Sequence, residues 1–311
     1  MGKLNPKVSI LLPIYNYHKV KPTIDSLLNQ TFENFELLIC DDGSTPPISL
    51  PEIFDKRIRF YKNQNNLGLG RTLNKLLSLT SKSSKYFSTV EQDDIYKPYF
   101  LDDCISFLDN NKNFGMVSGV SEFWDGEKVG YKFPGMIVNG LDYPYGKKMF
   151  LLNYRRQIKV VQTCMVVRKD IHQKNKLLFS RYFHSLSVDW DYVLRFSLVS
   201  NIKGLNKIFV RQDRSVNRKS LTTKTGLVYK TARQLLLKFY SEFPDIITLN
   251  DYRYALSTQL YIELGGKYFF HRIFSLFYDI FLIETDKKRF LRQLENELAK
   301  VKDYIYKIWK K

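Results

Sequence analysis

The sequence predicts an α/β protein built on a doubly wound sheet. Three observations point there. Val8-Ser9-Ile10-Leu11-Leu12-Pro13-Ile14 is a nearly continuous apolar run, as expected of a parallel strand covered on both faces. Strand-like and helix-like patterns then alternate over the first hundred residues, which is the pattern of βαβ units. Acidic clusters close two of those strands, Asp41-Asp42-Gly43-Ser44 and Glu91-Gln92-Asp93-Asp94, and the carboxyl edge of such a sheet is where ligands bind.

In chain order, 20–29 places Val20, Ile24, Leu27 and Leu28 at helical spacing. Residues 35–40 read as a second strand and 58–61 as a third. A helix over 69–79 leads to a fourth strand, 86–90, and Pro98 precedes a helical pattern over 99–108. Beyond this, 115–120, 159–167 and 208–210 read as strands. The Gly/Pro/Tyr-rich stretch 126–146 reads as loops, and Asp189 opens a helix. From 227 to 311 the pattern is mainly helical. These readings divide the chain into an α/β part, 1–225, in two halves (1–105 and 106–225), and a helical region, 226–311.

The chain has 311 residues, 44% hydrophobic and 26% charged, which is ordinary for a folded soluble protein. A net charge of +18 favours an anionic partner: nucleic acid, an acidic membrane surface or a phosphorylated substrate. Three well-separated cysteines, Cys40, Cys104 and Cys164, fit neither a disulfide framework nor a zinc site and suggest a reducing cytosol. Residues 8–14 read as a strand rather than as the apolar core of a secretory leader. No stretch is long and apolar enough to be read as a transmembrane helix.

Glu91 and Asp93 are two apart, so a local kink can aim both at one hard cation. Mg²⁺ and Mn²⁺ take oxygen ligands and share them with substrate phosphates. The alternative is a solvated acidic turn. The ends of the first, second and fourth strands share one edge of the predicted sheet, where a nucleotide fits. An aspartate there can accept from a base N–H, an aromatic ring can stack on the base, and Arg71 at the start of a helix can pair with phosphate oxygens.

Four motifs in this order, V-S-I-L-L-P-I-Y-N, L-L-I-C-D-D-G-S, N-x-G-x-x-R-x-x-N and E-Q-D-D-x-x-x-P, span residues 8–98. Together they resemble glycosyltransferase family 2, with its GT-A fold, and a later Asp-Trp-Asp-x-x-x-Arg extends the likeness to about residue 215. The resemblance implies that Pro13, Tyr15 and Asp41 hold the nucleoside base, with Asn16, Asp42, Arg71 and Gln92 among the nucleotide contacts. Asp93 matches the acid that meets a metal, Mn²⁺ or Mg²⁺, on the diphosphate, and Asp94 reaches the donor sugar. Glu91 stands where the family usually has Asp, so it binds ribose, meets metal-bound water or orients the loop. Asp189 aligns with the catalytic base, but Val188 replaces the Glu that usually precedes it, and Asp191 is the competing candidate. Arg211, Arg214 and Arg218 belong to a basic loop that either closes on the diphosphate or is merely solvated. His184 is an acceptor contact or a structural residue, and Trp190 a sugar platform or a buried neighbour of the base.

The resemblance further implies an inverting transferase that moves a sugar from a nucleotide diphosphate, UDP-linked by preference, to a growing surface glycan such as capsule, lipopolysaccharide or a polyprenyl-linked oligosaccharide. The expected location is the cytoplasm, peripheral to the inner face of the plasma membrane. Residues 201–311 hold 22 Lys+Arg against 11 Asp+Glu, and aromatics recur at helical spacing over 268–281. Such a helix either lies in an anionic membrane interface or packs on the catalytic domain. Two other readings compete, a nucleic-acid-binding protein and a sugar nucleotidyltransferase. The first lacks a recognisable binding module, so no nucleic-acid partner is expected. The second lacks its Gly-rich opening signature.

Overall fold

The computed structural model describes residues 5–50, 55–132, 142–143, 145–150, 160–180, 187–215 and 225–264. The boundary between two compact units falls at Lys224/Thr225.

The first unit is an α/β sheet with helices on both faces. Strands β1 (Val8–Ile14), β2 (Phe35–Asp41), β3 (Ile58–Lys62) and β4 (Tyr86–Thr89) are parallel, in the order β3-β2-β1-β4. Two faces follow from the strand period. Val8, Ile10, Leu12 and Ile14 enter one apolar cluster, and Leu11 enters the other. In β2, Phe35, Leu37 and Ile39 share the first face, with Leu38 and Cys40 on the second. Helices α1 (Lys21–Leu28) and α3 (Phe100–Asn110) cover the first face through Ile24, Leu27, Leu101, Cys104, Ile105 and Leu108. Helix α2 (Leu69–Ser78) covers the second through Leu73 and Leu76.

The sheet continues as β4-β9-β6-β10-β5. Here β6 is Phe114–Trp124, β9 is Val166–Arg168 and β10 is Asn201–Asp213. Strand β9 is antiparallel to β4 and β6, β6 and β10 are parallel, and β5 (Asp94–Tyr96) is antiparallel to β10. Helices α4 (Lys169–Lys174) and α5 (Val188–Ser197) follow, and Val188, Tyr192, Val193 and Phe196 of α5 join the second cluster.

Several sequence expectations need correction. Within 126–146, read as loops, β7 (Val129–Lys132) pairs with β6 as a hairpin, and β8 (Asp142–Tyr143) pairs with β10. The hairpin turns because the Asp125 carboxylate accepts from the amides of Glu127 and Lys128, both at 2.9 Å, while Gly126 takes φ 113°. Residues 159–167 are not one strand. Gln162–Cys164 form a 3₁₀ turn, and only Val166–Arg168 pair. The valines suggested a longer strand, but Val161 caps that turn. Strand β10 runs well beyond 208–210, so Arg211 lies in the sheet rather than in a loop, and Arg214 follows directly. Its bulges against β6 blur the alternation that reveals a strand. His184 and Arg218 lie outside the described residues, as does the aromatic stretch 268–281.

The second unit contains α6 (Thr225–Glu242) and α7 (Leu249–Leu264), with Tyr240 and Tyr252 stacked at 4.7 Å. Thr248 and Asp251 form a capping box: the Asp251 amide donates to Thr248 Oγ1 at 3.2 Å, and the Thr248 amide to Asp251 Oδ2 at 3.1 Å. Among the described residues no helix is long and apolar enough to cross a membrane.

The aromatic heart of the second cluster holds a histidine. His172 is buried against Phe87 and bonds Tyr192 Oη through Nδ1 at 2.9 Å. Burial pulls its pKa from 6.5 down to about 4, because the charged ring cannot be hydrated there. The unfolded chain therefore takes up this proton first as pH falls. Its contribution to stability is full above pH 6.5 and is lost by about pH 4, a loss of about 3 kcal/mol. Chemical denaturation at pH 7 and pH 5 should show wild type weakening on acidification, and His172→Asn should weaken markedly less over the same interval.

Candidate functional site

Parallel pairing brings the carboxyl ends of β1, β2 and β4 to one edge. Ile14 pairs with Asp41, Leu11 with Thr89, and the Val90 amide continues the ladder to Leu11 O at 3.1 Å. Both sequence-predicted acidic clusters leave the sheet there.

The Asp41 and Asp42 carboxylates are nearly buried and serve as anchors. Asp41 accepts from the Ser44 amide at 3.0 Å and the Ile48 amide at 2.9 Å. Burial works to raise its pKa, but these bonds, the Ser44 hydroxyl and Lys62 outweigh it and hold the group below the usual range. Asp42 accepts from Asn63 Nδ2 at 2.8 Å and from the amides of Leu67 and Gly68 at 2.9 Å. It thus straps the loop 63–68 to the end of β2 and delivers Arg71, which is exposed, to the first turn of α2. Gly70 permits close packing: a Cβ there would lie 1.9 Å from Ser180 O. Asn74, the last residue of the N-x-G-x-x-R-x-x-N motif, clamps the same segment by donating to Phe179 O at 2.9 Å and accepting from its amide at 3.0 Å.

At the end of β1, Tyr15 is 45% exposed, with its ring available for stacking. Asn16 takes φ 50°, a left-handed conformation that asparagine tolerates, and its amide donates to Ser44 Oγ at 2.9 Å. Pro13 is half-buried in the strand. Gln92 joins this end to the second acidic cluster, because its Oε1 accepts from the Tyr15 amide at 2.8 Å. Thr23 of α1 donates to Gln92 O at 2.9 Å.

Glu91, Asp93 and Asp94 each offer a carboxylate oxygen within 4.8 Å of the others. Glu91 is exposed, Asp93 half-buried and Asp94 wholly buried. Three hard oxygen donors this close fit a divalent cation such as Mg²⁺ or Mn²⁺. Asp94 Oδ2 accepts from Thr163 Oγ1 at 2.7 Å and Gln212 Nε2 at 3.5 Å, and Gln212 Oε1 accepts from Arg214 at 3.1 Å. Arg211 pairs instead with Glu122, at 3.2 Å.

Helix α5 packs on the 3₁₀ turn that carries Thr163. Ser187 is its N-cap, at φ 57°, so Asp189 sits in the first turn, half-buried, and accepts from the Trp190 amide at 2.8 Å. Asp191, 1% exposed, pairs with Arg195 at 2.9 Å. Trp190 is buried.

Sequence reasoning missed Tyr96, Thr163 and Gln212. Thr163 hid in a valine-rich run taken for a strand, and Gln212 lay between arginines that drew the attention.

The profile of glycosyl transferase family 2 matches residues 9–175. The chain belongs to that family. An uncharacterized glycosyltransferase of Haemophilus influenzae is 29% identical over 187 residues, covering 57% of this chain and 56% of its own length. The putative glycosyltransferase EpsE of Bacillus subtilis is 27% identical over 191 residues, 57% of this chain and 67% of the relative. The match thus spans little more than half the length of the Haemophilus relative. Among solved structures, S. aureus TarS 1–349 shares the α/β GT-A fold, with TM-score 0.56 and 17% identity over 84% of this chain and 72% of that one. TarS 1–349 in complex with UDP superposes with TM-score 0.53 and 18% identity, over 82% and 80% of the chains.

Asp42→Asn replaces one carboxylate oxygen with an amino group facing donors. Leaving a buried backbone N–H without its acceptor costs about 1–3 kcal/mol. The variant should melt earlier in a thermal scan than wild type.

Proposed function

We propose that this family 2 chain is an inverting glycosyltransferase that moves a sugar from a nucleotide diphosphate, UDP-linked by preference, to a hydroxyl of a glycan acceptor. The observation that carries this reading is the trio Glu91, Asp93 and Asp94 at the carboxyl edge of a family 2 sheet. The solved complexes of TarS with UDP and with UDP-GlcNAc support the choice of donor.

In this reading the uracil stacks on Tyr15, beside Pro13 and Asn16, on a platform shaped by Asp41 and Asp42. Arg71 meets phosphate oxygens, as a guanidinium at a helix N-terminus is well placed to do. Asp93 is the principal ligand of Mn²⁺ or Mg²⁺ on the diphosphate, and exposed Glu91 meets the same ion or the ribose. Bound there, the cation neutralises the charge that develops on the leaving diphosphate. Asp94 stands behind Asp93 and shapes the loop beneath the donor sugar.

The acceptor hydroxyl attacks the anomeric carbon opposite the leaving group, so the anomeric centre inverts. A carboxylate must take its proton as the new bond forms. Asp189 is half-buried at a helix start and is the base in this reading. Asp191 already neutralises Arg195, and a carboxylate so paired is a poorer base. A lipid-linked acceptor at the inner face of the plasma membrane fits the basic balance of residues 201–311.

UDP release from a panel of UDP-sugars, with Mn²⁺ and with EDTA, tests the reading. One donor should turn over only with metal. Asp93→Asn and Asp189→Asn should each lower kcat by 100-fold or more, whereas Asp191→Asn should act mainly on stability. Silence across the panel, together with absent Mn²⁺-dependent UDP binding, would remove the donor-site assignment.

A further inference from the structure

A buried chain of hydroxyls runs behind the acidic trio. The Glu91 amide lies 2.9 Å from Tyr96 Oη, Tyr96 Oη lies 2.7 Å from Thr163 Oγ1, and Thr163 Oγ1 lies 2.7 Å from Asp94 Oδ2. The direction of every bond follows from chemistry. A backbone N–H can only donate, so Tyr96 accepts from Glu91. Thr163 donates to Asp94 Oδ2, which spends its one proton. The Tyr96–Thr163 contact is then Tyr96 donating. Each hydroxyl accepts one bond and donates one, and the row of dipoles ends pointing at the carboxylate. Tyr96 and Thr163 are each 3% exposed, so water does not replace either bond.

We propose that Tyr96 and Thr163 are positioning residues for the metal-diphosphate site, holding the backbone at Glu91 and the carboxylate of Asp94 at a fixed separation. The inference rests on the donor-site reading above. Its geometry is specific. Tyr96 stands at the end of β5, which pairs with β10, and Thr163 stands on the 3₁₀ turn beside β4. The two hydroxyls thus tie both ends of the turn 91–94 to separate parts of the sheet. Neither residue touches the substrate in this scheme. They act through the spacing of the acids, as outer partners of metal ligands do. Gln212 Nε2 donates to the same Asp94 oxygen at 3.5 Å, and Arg214 holds Gln212 by donating to its Oε1 at 3.1 Å.

The test uses Tyr96→Phe, which keeps the ring and removes only the hydroxyl, together with the pair Thr163→Val and Thr163→Ser. Calorimetry measures UDP binding with Mn²⁺ and with EDTA. Wild type should bind UDP more tightly with Mn²⁺. Tyr96→Phe and Thr163→Val should cut that metal-dependent gain about tenfold, the scale seen when an outer partner is lost. Binding in EDTA should change less than twofold, and Thr163→Ser should match wild type. An undiminished gain in both hydroxyl-less variants, or equal weakening with and without metal, would overturn the proposal. If Tyr96→Phe fails to fold, the Val and Ser variants decide it: equal gains overturn the relay, and a loss with Val restored by Ser supports it. A wild type with no metal-dependent gain would instead overturn the donor-site reading, and the relay would fall with it.

Discussion

A carboxylate with no solvent exposure must find its donors inside the protein, and Asp94 sets that constraint here. It opens β5, directly after the turn that carries Glu91 and Asp93. A buried charge left without donors would cost several kcal/mol. Thr163, from the 3₁₀ turn, and Gln212, from β10, supply them. Those two residues lie far away in sequence, so the requirement locks three segments together: the start of β5, the turn before β9, and strand β10. The exposed and half-buried acids, Glu91 and Asp93, inherit their positions from this lock. The open acids are set by the closed one.

The same division of labour recurs at the end of β2. Asp41 and Asp42 share one motif, yet both carboxylates are turned inward onto backbone amides. An acid that gathers amides shapes a loop more surely than it reads a base. What it presents to solvent is the loop: exposed Tyr15, through Asn16 and Ser44, and exposed Arg71, through Gly68. Asn74 extends the logic across to the segment ending at Ser180, which Gly70 allows to approach. Motif residues in this sheet therefore fall into those that face the edge and those that hold it in place.

This explains how much was legible in the sequence. The parallel half was readable because β1 and β2 are buried on both faces and show it as continuous apolar runs. The helices α1, α2 and α3 were readable because each lays one apolar stripe on the sheet. The clustering of Glu91, Asp93 and Asp94 followed from strand ends and motif order. What stayed hidden depends on partners distant in sequence. Strand β5 begins with an aspartate and is a strand only because β10 lies beside it. The Gln162–Cys164 turn breaks a valine-rich run for the sake of contacts with Asp94 and Tyr96. Strand β10 carries bulges and three polar residues at its end, so its true length and the in-sheet place of Arg211 had no periodic signature. The separation of Asp189 from Asp191 was equally hidden, since it turns on the partner one helical turn away.

The charge of the chain poses a last question, because a chain with a net charge of +18 gathers carboxylates at one edge of its sheet. A nucleoside diphosphate approaching from solution feels the long-range surplus first, since fields from many cations add over distances that salt screens only gradually. At contact the order inverts. Glu91 and Asp93 would repel a diphosphate at a few ångströms, and Arg71 alone does not balance them. A divalent cation between acids and phosphates removes that conflict and turns each carboxylate into a support for the anion. The two features are then complementary. The net positive charge raises the rate of encounter without choosing a ligand, while on the proposed reading the acids disfavour an anion that arrives without a metal. On the proposed donor-site reading, a diphosphate, which chelates such a cation, meets both requirements, and a bare carboxylate or sulfate does not.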